Sequence, residues 1–164
     1  MLTGARADSV LYMSPRVLFR TFATAEFITW ALLITGLILR AIGVNPAIVF
    51  VTGSLHGFVF LSYGAVTIFV WINQRWRASV GVLGLVTTLV PFATLPFELA
   101  IDKRGMLDRT WRLGAGGDSP RNWLEHIQAW VLRHAWLSVI LGVLAVAVVF
   151  TVLLMLGPPV PREG

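Results

Sequence analysis

The stretch VFVTGSLHGFVFLSYGAVTIFVW, residues 49–71, decides the fold class. It contains no Asp, Glu, Lys or Arg; His56 is the one side chain in it that can carry charge near neutral pH. At about 1.5 Å rise per residue the run makes roughly 34 Å of helix, enough to cross a hydrocarbon core about 30 Å thick. It reads as a membrane span, so the solvent for the rest of the chain is a bilayer. Two stripes run along this helix. Gly53, Gly57 and Gly64 form one and predict close helix packing. His56, Phe60 and Tyr63 form the other and place an imidazole and a phenol in a polar core.

Composition agrees with that reading. The 164 residues are 57% hydrophobic and 13% charged, against about 45–50% and about 25% for a soluble domain. Seven Trp and ten Phe suit a surface in contact with lipid and its interface. Thirteen Lys and Arg against eight Asp and Glu imply anionic headgroups as partners rather than nucleic acid. The absence of Cys excludes disulfides, thiol nucleophiles and Cys-ligated metal.

Working outward, residues 1–16 read as a polar tail without the apolar run of a signal peptide. Ser14-Pro15 predicts the start of a first span over residues 15–42, with Arg20 and Glu26 near its beginning and Arg40 near its end. Gly43-Val44-Asn45-Pro46 turns the chain into an antiparallel hairpin with the second span. A third span is expected over residues 80–101, kinked at Pro91 and Pro96 and carrying Glu98. Residues 17–104 thus form a three-helix unit, and the glycine-rich residues 105–119 read as a flexible polar linker. Residues 120–164 would hold an amphipathic interfacial helix capped by Ser119, with Trp123, Trp130 and Trp136 at headgroup level, then a fourth span over 137–156 and a short tail.

The expected architecture is therefore all-α, with four transmembrane helices and both ends of the chain on one side. On that count Lys and Arg divide almost evenly between the two sides, and orientation stays open beyond a slight lean to cytoplasmic ends. Buried ionisable residues are costly in lipid and mark functional positions. Glu26 is expected to bond Tyr63 or another polar group on the second or third span. Arg40 is expected to pair with Glu98.

No catalytic chemistry is legible. His56, His126 and His134 do not match in depth as a haem pair, and no metal-ligand spacing occurs. Ser54 and His56 diverge around their helix, so no nucleophile sits beside a base. No cofactor, metal or enzymatic activity is expected.

Three motifs carry a resemblance. They are F-R-x-x-A-x-x-E at Phe19, Arg20, Ala23 and Glu26; H-G-x-x-F-x-x-Y at His56, Gly57, Phe60 and Tyr63; and P-F-x-x-x-x-F at Pro91, Phe92 and Phe97. In this order they resemble a family of small integral membrane proteins of actinobacteria and bacilli, classed as a domain of unknown function. The likeness covers about residues 18–104 and implies a multi-pass protein of the bacterial plasma membrane. The preferred expectation is a non-catalytic accessory subunit or assembly factor of a larger membrane complex, such as a respiratory oxidase supercomplex. The alternative is a small oligomeric transporter or an ion- or small-molecule-binding protein.

Overall fold

The structure, a computed structural model, describes residues 13–45 and 47–156. The expected tails over residues 1–12 and 157–164 lie outside them. Every regular element among the described residues is helical.

Helix α1, Pro15–Ala41, starts where the sequence predicts: the Ser14 hydroxyl accepts the Val17 amide at 3.2 Å and proline occupies the first turn. It stops at Gly43, whose φ of 80° suits a residue without a Cβ. Helix α2, Ala47–Gln74, returns antiparallel, its first amide held by Asn45 Oδ1 at 2.9 Å. A side chain at Gly36 would overlap Thr52, so the two backbones approach closely there.

The expected third span does not form. Helix α3, Ala78–Val86, runs into a 3-10 turn at Thr87–Leu89, and the chain reverses through Pro91 and Phe92, whose φ is 65°. Helix α4, Thr94–Lys103, then leads back. The contacts show the reversal directly. Gly81 lies against Trp71 and Gly84 against Thr67, while Thr87 meets Tyr63, so α3 runs antiparallel to α2. Thr94 bonds the Ala23 carbonyl and Glu98 meets Arg20, so α4 runs antiparallel to α1. At the tip, Phe92 packs on Phe27 at 4.9 Å, near the middle of α1. Nine and ten residues make about 14 and 15 Å of helix, half of a hydrocarbon core. Two prolines and a positive φ stop the helix at mid-depth, and the hairpin leaves by the end it entered.

Among the described residues, three helices are long and apolar enough to cross a membrane: Pro15–Ala41, Ala47–Gln74 and Trp136–Leu156. The last belongs to α6, Ala135–Leu156, which follows α5, Trp123–Arg133. Asn122, rather than Ser119, caps α5, accepting the Glu125 amide at 2.9 Å. Helix α6 lies along α2, with Phe150 against Gly57 and Phe58.

Residues 104–122 are not a free linker. Leu107 and Leu113 are buried, and the Trp76 and Trp111 indoles donate to the Met106 and Met13 carbonyls at 2.8 and 2.7 Å. Arg112 donates to the Asn73 carbonyl at 2.6 Å and the Ile72 carbonyl at 3.4 Å. These carbonyls lie in the last turn of α2, where the Ile72 carbonyl also accepts the Arg75 amide at 3.4 Å, and a cation there adds to their bonding and opposes the negative end of the helix dipole. Glycine-rich composition therefore marks a tight fold around Arg112, not a tether.

With the hairpin folded back, every described Arg and Lys except Arg40 lies at the end where α1 begins and α2 ends. The chain's lack of Cys makes it a ready background for labelling. Arg77→Cys and Arg109→Cys, which flank the hairpin, should react with a membrane-impermeant maleimide from the same side, and Asn45→Cys from the opposite one. Labelling of Arg77→Cys and Arg109→Cys from opposite sides would restore the expected third span.

Candidate functional site

Polar groups are buried in three layers. The first ties α4 to α1. Arg20 Nε lies 3.1 Å from both Glu98 oxygens, and its Nη2 donates to Asp102 at 2.8 Å. Arg16 pairs with the same Asp102. Arg16 and Arg20 are four apart on α1, as are Glu98 and Asp102 on α4, so each helix presents two like charges on one face to two of opposite sign. Glu98 is fully buried. The expected Arg40–Glu98 pair is overturned: α4 returns to the beginning of α1, while Arg40 sits at its far end with no carboxylate within 4.0 Å among the described residues.

The second layer lies deeper. Glu26 is fully buried, with Oε2 3.7 Å from His56 Nδ1. The Thr29 hydroxyl stands within reach of Glu26 Oε2 at 3.4 Å and His56 Nδ1 at 3.2 Å. The Trp30 ring packs on the imidazole at 4.5 Å. Glu26 Oε1 and Trp30 Nε1 are buried without a bonding partner among the described residues. Glu26 thus faces the bundle, and of the polar groups expected on the second or third span the one it meets is His56, not Tyr63. Tyr63 reaches the hairpin tip, its hydroxyl 3.5 Å from Thr87 Oγ1.

The third layer centres on Arg112, which sequence reasoning left as a loop residue. Its Nη2 donates to Glu125 Oε1 at 2.8 Å, and Arg75 approaches the same carboxylate at 3.6 Å. The Arg121 amide donates to Glu125 Oε2 at 2.8 Å. That amide first, then the Arg112 guanidinium, hold the Glu125 carboxyl below the usual carboxylate range against the opposing effect of burial. Gln128 donates to the Phe69 carbonyl at 2.8 Å. Helix α5 therefore turns its polar side, Glu125 and Gln128, toward the protein. Trp123 and Trp130 on α5 and Trp136 on α6 point outward, as interfacial residues should.

The predicted packing residues divide. Gly57 admits Phe150, and Gly53 makes ordinary contact with Leu33. Gly64 has no atom within 4 Å of where a Cβ would stand, so no other helix among the described residues packs closely on it. The stripe rule ranked positions on α2 alone; the close approaches at Gly81 and Gly84 depend on the fold-back of α3, and that at Gly36 lies on α1. Pro91 lies at the hairpin tip, and Pro96 sits in the first turn of α4, where a missing amide breaks no helical bond. No group of His, Asp and Glu suited to a metal ion occurs among the described residues. His134 bonds the Trp130 carbonyl of its own helix at 3.0 Å, remote from His56.

The family model for a domain of unknown function, DUF3817, matches residues 17–103. The chain belongs to this family. The match takes in α1, α2 and the hairpin and stops at the last residue of α4, so the first two polar layers are inside it. The Arg112 layer, α5 and α6 are outside. A Streptomyces coelicolor protein named as a membrane protein, SCO5905, is 33% identical over 91 residues. Those residues are 54% of this chain and 11% of that much longer one. No solved structure matches the chain. The protein is thus a multi-pass helical membrane protein of this family.

Two measurements test the layers. Glu98→Gln should destabilise the protein in detergent by roughly 1–2 kcal/mol, because the fully buried side chain loses its charge-assisted bonds to Arg20, a loss moderated by the 45% exposure of the Arg20 side chain. Arg40→Ala should leave the melting temperature unchanged; the reverse ranking would restore the Arg40 pairing. A carboxyl held below its free value of about 4.5 stabilises the fold above that pH. That contribution is lost as pH falls through the lowered value. Proteolytic protection of residues 104–122 should therefore fail in acid below pH ~4.5, and Glu125→Gln should remove that dependence.

Proposed function

We propose that the protein is a non-catalytic membrane module that joins a larger membrane assembly through α6. The observation that carries this reading is the state of that helix. Its most apolar stretch has mean hydropathy 3.1 and is 0% buried, while the corresponding stretches of α1 and α2 are 22% and 28% buried. Lipid can cover such a surface, since acyl tails are as apolar as leucine. Two features favour protein. Helix α6 follows α5, which carries the Arg112 layer, and is tied back to it where the Ser138 hydroxyl donates to the Val131 carbonyl at 3.0 Å. A stretch of 91 residues similar to this chain also occurs within the much longer Streptomyces chain, where it is 11% of the length. The basic end of the bundle faces the cytoplasm under the positive-inside rule, and α3–α4 is a re-entrant hairpin entering from that side.

Val148 and Val152 lie on the side of α6 away from Phe150 and are largely exposed. Val148→Trp and Val152→Trp remain apolar and are tolerated by lipid, but they would obstruct a protein partner. Mild-detergent purification with mass spectrometry should recover the protein with a larger partner, and the Trp variants should lose it at unchanged melting temperature. Recovery of the wild type as a single-component oligomer would overturn the reading.

A second reading, proton or cation handling, draws on one observation: the unpaired, fully buried Glu26 Oε1 beside His56. In proteoliposomes it requires an ion flux that Glu26→Gln abolishes.

A further inference from the structure

Below the bundle, at the basic end, lies a cleft of about 480 Å³ that shares only Arg75 with the three layers. Its rim carries Arg75, Arg77 and Arg104, with Asp108 the one acid lining it. The three guanidiniums come from three segments. Arg75 ends α2 with a φ of 51°, Arg77 precedes α3, and Arg104 closes α4. Their convergence follows from the fold-back of the hairpin, because a straight third span would have carried Arg104 to the opposite end. The wall is rigid: Trp76 is buried, and its indole donates to Met106 across the cleft at 2.8 Å. Val80 and Met106 add an apolar lining. Arg75 also approaches Glu125, at 3.6 Å. Neither Arg77 nor Arg104 forms an ion pair within 4.0 Å among the described residues.

We propose that this cleft binds a phosphate-bearing anion, supplied as the headgroup of an anionic phospholipid. Three cations around one concave site leave an excess of positive charge after Asp108 and Glu125 are counted. Guanidinium groups match phosphate oxygens in a two-pronged geometry. The position fits a lipid better than a free ion. The cleft lies beside the ends of α2, α3 and α4, where the hydrocarbon region gives way to headgroups, and its lining pairs cations with Val80 and Met106. Basic pockets between membrane helices on the cytoplasmic side take such headgroups. The proposal does not depend on a partner at α6: the cleft and that helix share no lining residue.

Native mass spectrometry from mixed micelles of phosphatidylglycerol and phosphatidylcholine tests it. The wild type should retain phosphatidylglycerol preferentially, and the Arg77→Ala, Arg104→Ala double variant should reduce that retention by roughly tenfold or more. Inorganic phosphate added alone separates the two sources. Weak competition by it supports the lipid, whereas full displacement together with tight binding of phosphate overturns the lipid as ligand. Equal retention of the two lipids by the wild type, or retention unchanged in the double variant, overturns the site. Should the double variant fail to fold, Asp108→Asn decides: removing the one acid of the lining should raise phosphatidylglycerol retention several-fold, and no change would count against the cleft.

Discussion

The pairing of Arg16 and Arg20 with Glu98 and Asp102 is the interaction on which the rest of the structure depends. A carboxylate as deeply buried as Glu98 is tolerated only beside a cation that also donates hydrogen bonds to it, and Arg20 does so to both oxygens. That requirement places α4 against the first turns of α1. Once α4 is there, α3 must descend along α2 and the chain must reverse between them. The reversal in turn brings the polar residues after Lys103 to the end of α2, where Arg112 bonds the carbonyls of its last turn.

The hairpin tip shows how broken backbone is accommodated at depth. Non-helical chain in a bilayer leaves amides and carbonyls without water, so it persists only where protein shields it. Here the surrounding polar groups are threonines. Thr87 and Thr88 donate back to Gly84 and Leu85, and Thr94 bonds across to the Ala23 carbonyl of α1. Phe92 takes a positive φ and packs on Phe27, closing the tip with an aromatic contact. The buried Glu26–Thr29–His56 group lies deeper still, between α1 and α2 alone. There an acceptor and a donor, Glu26 Oε1 and Trp30 Nε1, are both left unpaired among the described residues, as are Asn73 Nδ2 and Gln128 Oε1 in the Arg112 layer.

Beyond the family unit the arrangement inverts the usual sense of an amphipathic helix. Helix α5 points Glu125 and Gln128 at the protein and its tryptophans outward. The surface it covers is mixed: helix-end carbonyls and arginines give partners to Glu125 and Gln128, while Leu113, Phe69 and Trp111 pack on Ala129 and Leu132. An apolar face then meets the membrane interface, and α6 continues from it into the apolar region.

What the sequence by itself determined is what local composition controls. Apolar length makes α1, α2 and α6 membrane helices, Ser14-Pro15 and Gly43 set helix ends, and three motifs mark the family. Glu26 and His56 were legible as a buried pair of positions because ionisable residues inside apolar helices stand out. Only the tertiary structure decided how the segment between Ala78 and Lys103 is used. Two prolines in an apolar run are equally compatible with a kinked span and with a reversal, and the choice rests on whether Glu98 meets Arg40 or Arg20. The matched spacing of Arg16/Arg20 and Glu98/Asp102 was present in the sequence as a signal, yet it acquires meaning only when α4 is known to lie beside α1. From that one long-range pairing follow the collection of cations at one end, the true role of Arg112, and the cleft between Arg75, Arg77 and Arg104.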